Sequence, residues 1–150
     1  MKLGNLSKTN IDLLPKPNEY QLVFTEKMPL VGLVTAVFGL IFSGGRFLMT
    51  KLRSRGWDIP GGHVEPRETP EETVRREIYE ETAVRVTNLR PFAHKKFTIH
   101  APQPPNYKYP YPLCYQLFLL GEVLALDPFI KTEEAAARKL LTPTEVRQTA

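Results

Sequence analysis

The feature of the sequence that most constrains the fold is a charged run from Gly61 to Val86, which reads GGHVEPRETPEETVRREIYEETAVRV. Seven Glu and four Arg give this run a net charge of −3, although the whole chain carries +4. Like charges this close together repel one another, so a fold that gathers them must supply positive charge nearby. The run therefore predicts either a set of ion pairs or a bound cation.

A capping signal sets the start of a helix inside this run. Thr69 is a favoured N-cap residue, Pro70 suits the first helical position, and Glu72 stands where a capping box requires it. We expect a helix over Pro70–Thr82. Its buried stripe would consist of residues spaced by four, namely Val74, Ile78 and Thr82.

Three carboxylates share the helix face that borders this stripe. They stand at positions i, i+3 and i+4 and are Glu77, Glu80 and Glu81. The helix dipole, which is negative at the C-terminal end, increases their repulsion. The charge that compensates them must therefore lie close by.

Two kinds of compensation are open. Arginines of the same run could form salt bridges on this face, and they are Arg75, Arg76 and Arg85. A hard divalent cation such as Mg²⁺ is the alternative, because it takes oxygen ligands, often two or three of them carboxylates. The preceding turn, Pro60–Gly62, favours the cation, since a glycine backbone can turn tightly and approach a ligand closely.

The residues from Gly62 to Val84 resemble the Nudix box, the pattern G-x5-E-x7-R-E-U-x-E-E-x-G-U in which U is a bulky aliphatic residue. The chain departs from it at Ala83, where the family has glycine. Eight of the nine fixed positions are in register: Gly62, Glu68, Arg76, Glu77, Ile78, Glu80, Glu81 and Val84. The chain is thus similar to the Nudix hydrolase family, of MutT-like type.

The resemblance implies an α/β fold, an α/β/α sandwich with a central mixed β-sheet. It also implies a loop–helix–loop that binds Mg²⁺ or Mn²⁺ and hydrolyses a nucleoside diphosphate linked to another group. Glu68 and Arg76 would form a supporting salt bridge. The metal ligands and catalytic carboxylates would be Glu77, Glu80 and Glu81, with the carbonyl of Gly61 as a further ligand.

The remaining site residues follow from what this reaction needs. A carboxylate near the metal can take the proton of the attacking water; outside the box the candidates for this general base are Glu133 and Glu134. Lys51 resembles a phosphate-binding position. The loop Ala101–Pro112, stiffened by five prolines, carries three rings that could stack on a base, those of Tyr107, Tyr109 and Tyr111.

The substrate remains open between two classes. A (d)NTP, oxidised or not, would give a nucleoside monophosphate and pyrophosphate. A dinucleotide or a nucleotide sugar resembling ADP-ribose is the alternative, and a catalytically silent nucleotide sensor is the alternative of another class. The chain length of 150 residues suits one domain.

Outside the charged run, the pattern predicts mainly strands. We expect strands at 20–25, 33–42, 47–51, 84–89, 95–100 and 113–123, a loop at 54–62 and a loosely held segment at 1–19. The run EEAAARKLL at 133–141 favours either a helix or an edge strand. A second capping signal at Thr142 starts a final short helix.

Composition limits the setting and the partners. A single cysteine, Cys114, excludes a disulfide framework and favours the cytoplasm. The sequence has no run of five or more basic residues, so we expect no stable nucleic-acid partner. The most apolar run, Leu30–Phe42, is too short to span a membrane. We expect a small nucleotide as the partner, and either a monomer or a homodimer.

Overall fold

The computed structural model describes residues 6–149, without the side chain of Thr149. Its helices are α1, Pro70–Thr82, and α2, Pro143–Thr149, and a 3₁₀ turn spans Val31–Leu33. Its strands are β1 Leu6–Thr9, β2 Asn18–Phe24, β3 Val34–Ser43, β4 Arg46–Leu52, β5 Gly56–Asp58, β6 Gly61–His63, β7 Val84–Ile99, β8 Leu113–Leu126 and β9 Ala135–Leu141.

These nine strands of the described region form one mixed sheet. The main path runs β1-β2-β7-β8-β3-β4-β5, while β6 pairs with β3 and β9 pairs with β4. The β3–β8 pair is parallel and the other pairs are antiparallel. The sheet is therefore mixed, as the resemblance implied.

Helix α1 packs its apolar stripe on one face of this sheet. Val74 and Ile78 are fully buried and join a core cluster that includes Val37 and Ile41 of β3. Burying each of these side chains contributes about 1.5–3 kcal/mol. Gly39 lies beneath Ile78, where an added Cβ would stand 2.7 Å from the Ile78 Cδ1 atom. The glycine thus lets the helix sit close to β3.

The expected loose segment at 1–19 is wrong for the part that the structure describes. Leu6–Thr9 forms β1 and pairs with β2, and the side chain of Asn18 ties down the chain between them. Asn18 is 2% exposed, and its amide satisfies backbone groups that would otherwise lack partners. Residues 1–5 lie outside the described residues.

Two other sequence expectations differ from the structure. The predicted loop at 54–62 contains β5 and β6, because β4 and β3 offer them open edges. The two strands predicted at 84–89 and 95–100 are one strand, β7. The pairing of β7 with β8 is irregular around Asn88, whose φ is 54°. This irregularity lets one strand continue through the polar residues between the two predicted strands.

The sequence left residues 133–141 open between a helix and an edge strand, and the structure decides between them. Residues Ala135–Leu141 form the edge strand β9 on β4, so the helical alternative is wrong. The pairing buries Ala135 and Leu141, and this tertiary gain outweighs the helix propensity of the alanines. Helix α2 begins after Thr142, as its capping box predicts. Neither helix in residues 6–149 has the length and apolar character that crossing a membrane requires.

Candidate active site

Both ends of α1 are fixed by local hydrogen bonds. At the start, the Glu72 amide donates to the Thr69 hydroxyl (3.2 Å) and the Thr69 amide donates to the Glu72 carboxylate (3.1 Å), which is a complete capping box. At the end, Ala83 takes the left-handed conformation, with φ 55° and ψ 31°, and its amide donates to the Tyr79 carbonyl. The helix therefore holds its side chains in a defined position against β6.

The predicted ion pair between Glu68 and Arg76 is present and is bidentate. Arg76 Nε lies 2.7 Å from Glu68 Oε2 and Nη2 lies 2.9 Å from Oε1. The Arg76 hydrogen bond lowers the pKa of Glu68 to about 2, helped by the Thr73 hydroxyl and the Glu65 amide. Because Arg76 Nη2 also donates to the His63 carbonyl, the pair links α1 to the loop before it.

Arginine compensates part of the acidic face. Arg76 Nη1 lies 3.0 Å from Glu77 Oε1 and 3.3 Å from Glu80 Oε2. The other two candidate arginines bind elsewhere: Arg75 pairs with Glu71, and Arg85 pairs with Asp127. Of the three candidate arginines, Arg76 alone forms salt bridges on the acidic face, and they reach Glu77 and Glu80. They do not neutralise Glu81, near the C-terminus of α1.

Glu81 is the carboxylate that remains without a partner. It is 2% exposed, and neither carboxylate oxygen has a hydrogen bond to any residue that the structure describes. Burial raises its pKa to about 8, and the charges of Glu77 and Glu134 act in the same direction. The backbone of Gly61 lies close enough to favour the charged form, but without hydrogen-bond geometry to either oxygen. A buried acid in this state is costly unless a cation or a proton neutralises it.

The glycine turn leaves room for the neighbouring carboxylate. A Cβ on Gly62 would collide with the Glu77 carboxyl group, and one on Gly61 would collide with the Val37 carbonyl. Glu77 is 14% exposed, and burial raises its pKa despite the contact with Arg76. Two poorly solvated carboxylates therefore face the glycine turn, and their oxygen atoms suit a hard divalent cation.

The arrangement of side chains is not a closed ion cage. Glu80 is 55% exposed and is turned towards Arg76, so it does not converge with Glu77 and Glu81. No group of three acidic, His or Cys side chains in residues 6–149 converges on one point. The fit to a cation rests on the orphaned Glu81 oxygens and on the space beside Gly62.

The two acidic candidates outside the box differ in position. Glu134 lies close enough to raise the pKa of both Glu77 and Glu81 by its charge. Both residues are exposed, and the charge of Glu133 is not among those that raise these two pKa values. The backbone of Glu134 is held by the Arg53 amide, which donates to its carbonyl at 2.9 Å. Of the two candidates, Glu134 is the one whose charge acts on the acidic cluster.

Lys51 lies beside Trp57, and its charge is not among those that shift the pKa of Glu77 or Glu81. Its ammonium group stands 6.0 Å from the centroid of the Trp57 ring, and the neighbouring residues of β4, Thr50 and Leu52, point into the core on the other face. Arg55 is the cation whose charge reaches Glu81. Sequence reasoning missed Arg55, although its place just before GWDIPGG could have suggested it.

The three tyrosines of the loop at 101–112 differ in their surroundings. Tyr109 stacks on His63 at 5.9 Å between ring centroids and lines a cavity beside it. Tyr107 packs edge-on against Tyr109 and Tyr111, and its buried hydroxyl has no hydrogen-bond partner within residues 6–149. Of the three rings, that of Tyr109 lines the cavity, while Tyr107 and Tyr111 pack within the loop. His63, to which the sequence assigned no role, lines the same cavity.

Comparison with known proteins identifies the family. The model of the NUDIX domain matches residues 32–150, so the chain belongs to the Nudix family. A Bacillus subtilis (strain 168) protein named "Putative 8-oxo-dGTP diphosphatase YtkD" is 40% identical over 73 residues, which are 49% of this chain and 46% of the relative. Nucleoside triphosphatase NudI of Enterobacter sp. (strain 638) is 41% identical over 69 residues, 41% of this chain and 49% of the relative.

The chain matches less than half the length of these curated relatives, whereas solved structures match over more of their length. A mutant of the Bacillus subtilis pyrophosphohydrolase BsRppH superposes with a TM-score of 0.66 at 26% identity, covering 83% of this chain and 72% of that one. MutT from Aliivibrio salmonicida and Vibrio cholerae gives 0.51 at 22% identity, covering 77% and 85%. The predicted family and the α/β fold with a central mixed sheet are thereby confirmed.

Proposed function

We propose that this protein is a metal-dependent hydrolase that cleaves the pyrophosphate bond of a nucleoside diphosphate linked to another group. The observation that carries the proposal is Glu81, a buried carboxylate without a hydrogen-bond partner beside a glycine turn. Isolated buried charge is costly, and active sites are places where such cost is retained. Membership of the Nudix family supports the reaction class.

The proposal assigns the metal to the box carboxylates. Glu77 and Glu81 face the glycine turn, Glu80 would join them by turning away from Arg76, and the Gly61 carbonyl would be a further ligand. Bound there, Mg²⁺ or Mn²⁺ would neutralise charge on the phosphate oxygens and acidify the attacking water. Metal binding would therefore have to break the contacts of Glu77 and Glu80 with Arg76.

The other residues of the site receive roles that suit their contacts. Arg76 and Glu68 hold α1 against the preceding loop, so they would position the ligands and take no part in the chemistry. Glu134 is the proposed general base outside the box, since its charge reaches Glu77 and Glu81. It would accept the proton of the water that attacks the phosphorus atom.

The proposed substrate is a (d)NTP, oxidised or not, with a nucleoside monophosphate and pyrophosphate as products. The names of the two curated relatives, a diphosphatase of 8-oxo-dGTP and a nucleoside triphosphatase, support this class. A dinucleotide or a nucleotide sugar is the second candidate. We place the reaction in the cytoplasm, where the lone buried Cys114 would stay reduced.

A nucleotide panel tests the proposed function. The protein is incubated with nucleoside triphosphates, 8-oxo-dGTP, a dinucleotide and ADP-ribose, in Mg²⁺ or Mn²⁺ and in excess chelator, and products are resolved by chromatography. We expect monophosphate and pyrophosphate from triphosphates only when the metal is present. Full activity in chelator would overturn the metal assignment. Cleavage of only the dinucleotide or the sugar would favour the second candidate, and binding without any cleavage would indicate a sensor.

A further inference from the structure

A cavity of about 190 Å³ lies on the side of β3 and β8 that faces away from α1. Residues from five distant parts of the chain line it, among them Leu14, Thr35, His63, Phe97, Tyr109 and Gln116. Ligand cavities for drug-sized molecules measure about 300–1,000 Å³, so this one has room for a single ring system and not for a whole nucleotide.

The sheet register explains why His63 and Gln116 meet here. Ala36 of β3 pairs with His63 of β6 on one side and with Gln116 of β8 on the other. Directly paired residues point to the same face of a sheet, so both side chains flank the small Ala36 side chain. Successive residues of β6 point to opposite faces. The cavity thus begins one residue along β6 from Gly62, where the Glu77 carboxylate lies on the other face.

One part of the cavity lining, Leu13 and Leu14, belongs to the chain between β1 and β2. The Asn18 side-chain amide donates to the carbonyls of Ile11, Leu14 and Pro15 at 3.0–3.1 Å, and its oxygen accepts from the Ile11 amide at 2.9 Å. These hydrogen bonds of the buried Asn18 hold Leu14 at the cavity and the exposed Leu13 at its edge. This part of the lining is therefore preorganised, which reduces the entropy cost of enclosing a ligand.

Few polar groups line the cavity. None of the described residues that line it is Asp, Glu, Lys or Arg. The Thr35 hydroxyl already donates to the Tyr115 carbonyl, and burial raises the pKa of the Cys114 thiol, which keeps it uncharged. The Gln116 amide has no hydrogen bond to any residue that the structure describes, so its donors and acceptor are available to a ligand.

The small cavity adjoins a second cavity that follows the Nudix loop. A larger cavity of about 710 Å³ shares Thr35, His63 and Tyr109 with it and runs along Val64–Pro66, the segment that leads to Glu68. A molecule with a flat neutral ring in the small cavity could therefore extend its polar part along the Nudix loop. A nucleotide has this division between a neutral ring and a charged tail.

We propose that the small cavity binds the base of the nucleotide substrate and that Gln116 is the residue that determines which base is accepted. This inference rests on the proposed nucleotide hydrolase function. The ring would lie between the Tyr109–His63 stack and the leucines held by Asn18, with its edge against the Gln116 amide. An amide presents a donor and an acceptor side by side, so an amide of fixed orientation distinguishes bases by the order of donor and acceptor on their edge, which is opposite in adenine and guanine.

Two substitutions of Gln116 separate recognition from packing. Gln116→Leu removes the hydrogen bonds at nearly constant volume, and Gln116→Glu leaves acceptors alone. We expect Leu to reduce the spread of kcat/KM among nucleoside triphosphates about 10-fold or more, because a bidentate contact discriminates bases by at least that factor. Glu should shift the preference at least 10-fold towards guanine, whose N1 and N2 groups are adjacent donors. Both changes should appear mainly in KM.

Matched changes at Gln21, an exposed glutamine of β2, serve as the control and should leave the ranking of bases unchanged. The same ranking of bases in wild type, Gln116→Leu and Gln116→Glu would overturn the proposal.

Nucleosides without phosphates make the test independent of hydrolysis. Binding of adenosine, guanosine, cytidine and uridine to the metal-free protein is followed by NMR at the His63 and Tyr109 rings. We expect base-dependent shifts that Gln116→Leu abolishes and Gln21→Leu retains. Absence of such shifts in an enzyme that hydrolyses nucleotides would overturn the base cavity alone. Shifts in a protein that hydrolyses none would support the cavity and reject the hydrolase.

Discussion

Two carboxylates at opposite ends of the Nudix loop and helix have opposite surroundings. Glu68 receives a bidentate Arg76, a hydroxyl and a backbone amide, and its pKa falls to about 2. Glu81 is more deeply buried, receives no hydrogen bond, and has a pKa raised to about 8. The same residue type is thus stabilised as an anion at one end and destabilised as an anion at the other.

The difference separates support from function. A buried group that has all its partners adds rigidity, whereas one left unsatisfied reduces stability unless something absent from the folded chain completes it. Glu68 belongs to the first kind and Glu81 to the second. We therefore expect substitutions at the two ends to have different effects, on stability at Glu68 and on activity at Glu81.

The largest effect should follow from Glu81→Gln, which keeps the shape and removes the charge. We expect turnover to fall by about 100-fold or more, as when an electrostatic catalytic group is removed. In chelator the variant should melt higher than wild type, by about 1 kcal/mol or roughly 2–4 °C for a chain of this size. Steady-state kinetics and calorimetry measure both. Turnover within threefold of wild type would remove Glu81 from the site.

The next effect should follow from Arg76→Ala, which breaks the contacts with Glu68 and with the His63 carbonyl. Loss of a residue that orients ligands typically weakens metal affinity about 10–100-fold. The concentration of Mn²⁺ that gives half-maximal activity should rise accordingly. The variant Arg75→Ala, which loses only an exposed pair with Glu71 on the same helix, is the control. Equal metal dependence in wild type and Arg76→Ala would reject the supporting role.

A smaller effect concerns how the free energy of unfolding depends on pH. Because the pKa of Glu68 is lowered from 4.5 to about 2 on folding, its contribution is complete above pH 4.5 and is lost as the pH falls through 2. Glu68→Gln should lower the unfolding free energy by about 1–3 kcal/mol at pH 6. Its curve should meet that of wild type near pH 2. Urea unfolding across this range gives the two curves, and parallel curves would contradict the lowered pKa.

The smallest effect should follow from Ala83→Gly. Ala83 closes α1 in the left-handed conformation, as the glycine of the family pattern suggested. Alanine costs about 1 kcal/mol more than glycine there, so the substitution should stabilise the protein by roughly 0.5–1 kcal/mol. Thermal melting measures this change, and kcat should stay the same. A lower melting temperature would contradict the strain at this position.

The parts of the fold that the sequence predicts are those decided by neighbours along the chain. The bounds of α1 follow from the capping box at Thr69 and Glu72 and from the spacing of Val74 and Ile78. The parts that it fails to predict depend on distant partners. Strand β9 forms because β4 offers an edge, and the segment before β2 is ordered because Asn18 reaches back to Ile11.

The candidate site shows the same division. The carboxylates of α1 share a face by helix periodicity alone, so the sequence identifies them. The surroundings that distinguish Glu81 from Glu68 come from β6 and from Glu134, which helix periodicity does not reveal. Gln116 and His63 become neighbours through Ala36, a register between strands far apart in sequence. No local pattern could have singled them out.

The most direct test of the central claim is the melting temperature as a function of Mn²⁺ or Mg²⁺ concentration. A cation that binds only the folded state adds about 2.7 kcal/mol when present at 100 times its Kd. We predict a rise for wild type, little or no rise for Glu81→Gln, and the full rise for Glu71→Gln, whose carboxylate pairs with Arg75 on the surface. A rise in Glu81→Gln equal to that of wild type, or no rise in wild type, would contradict the account.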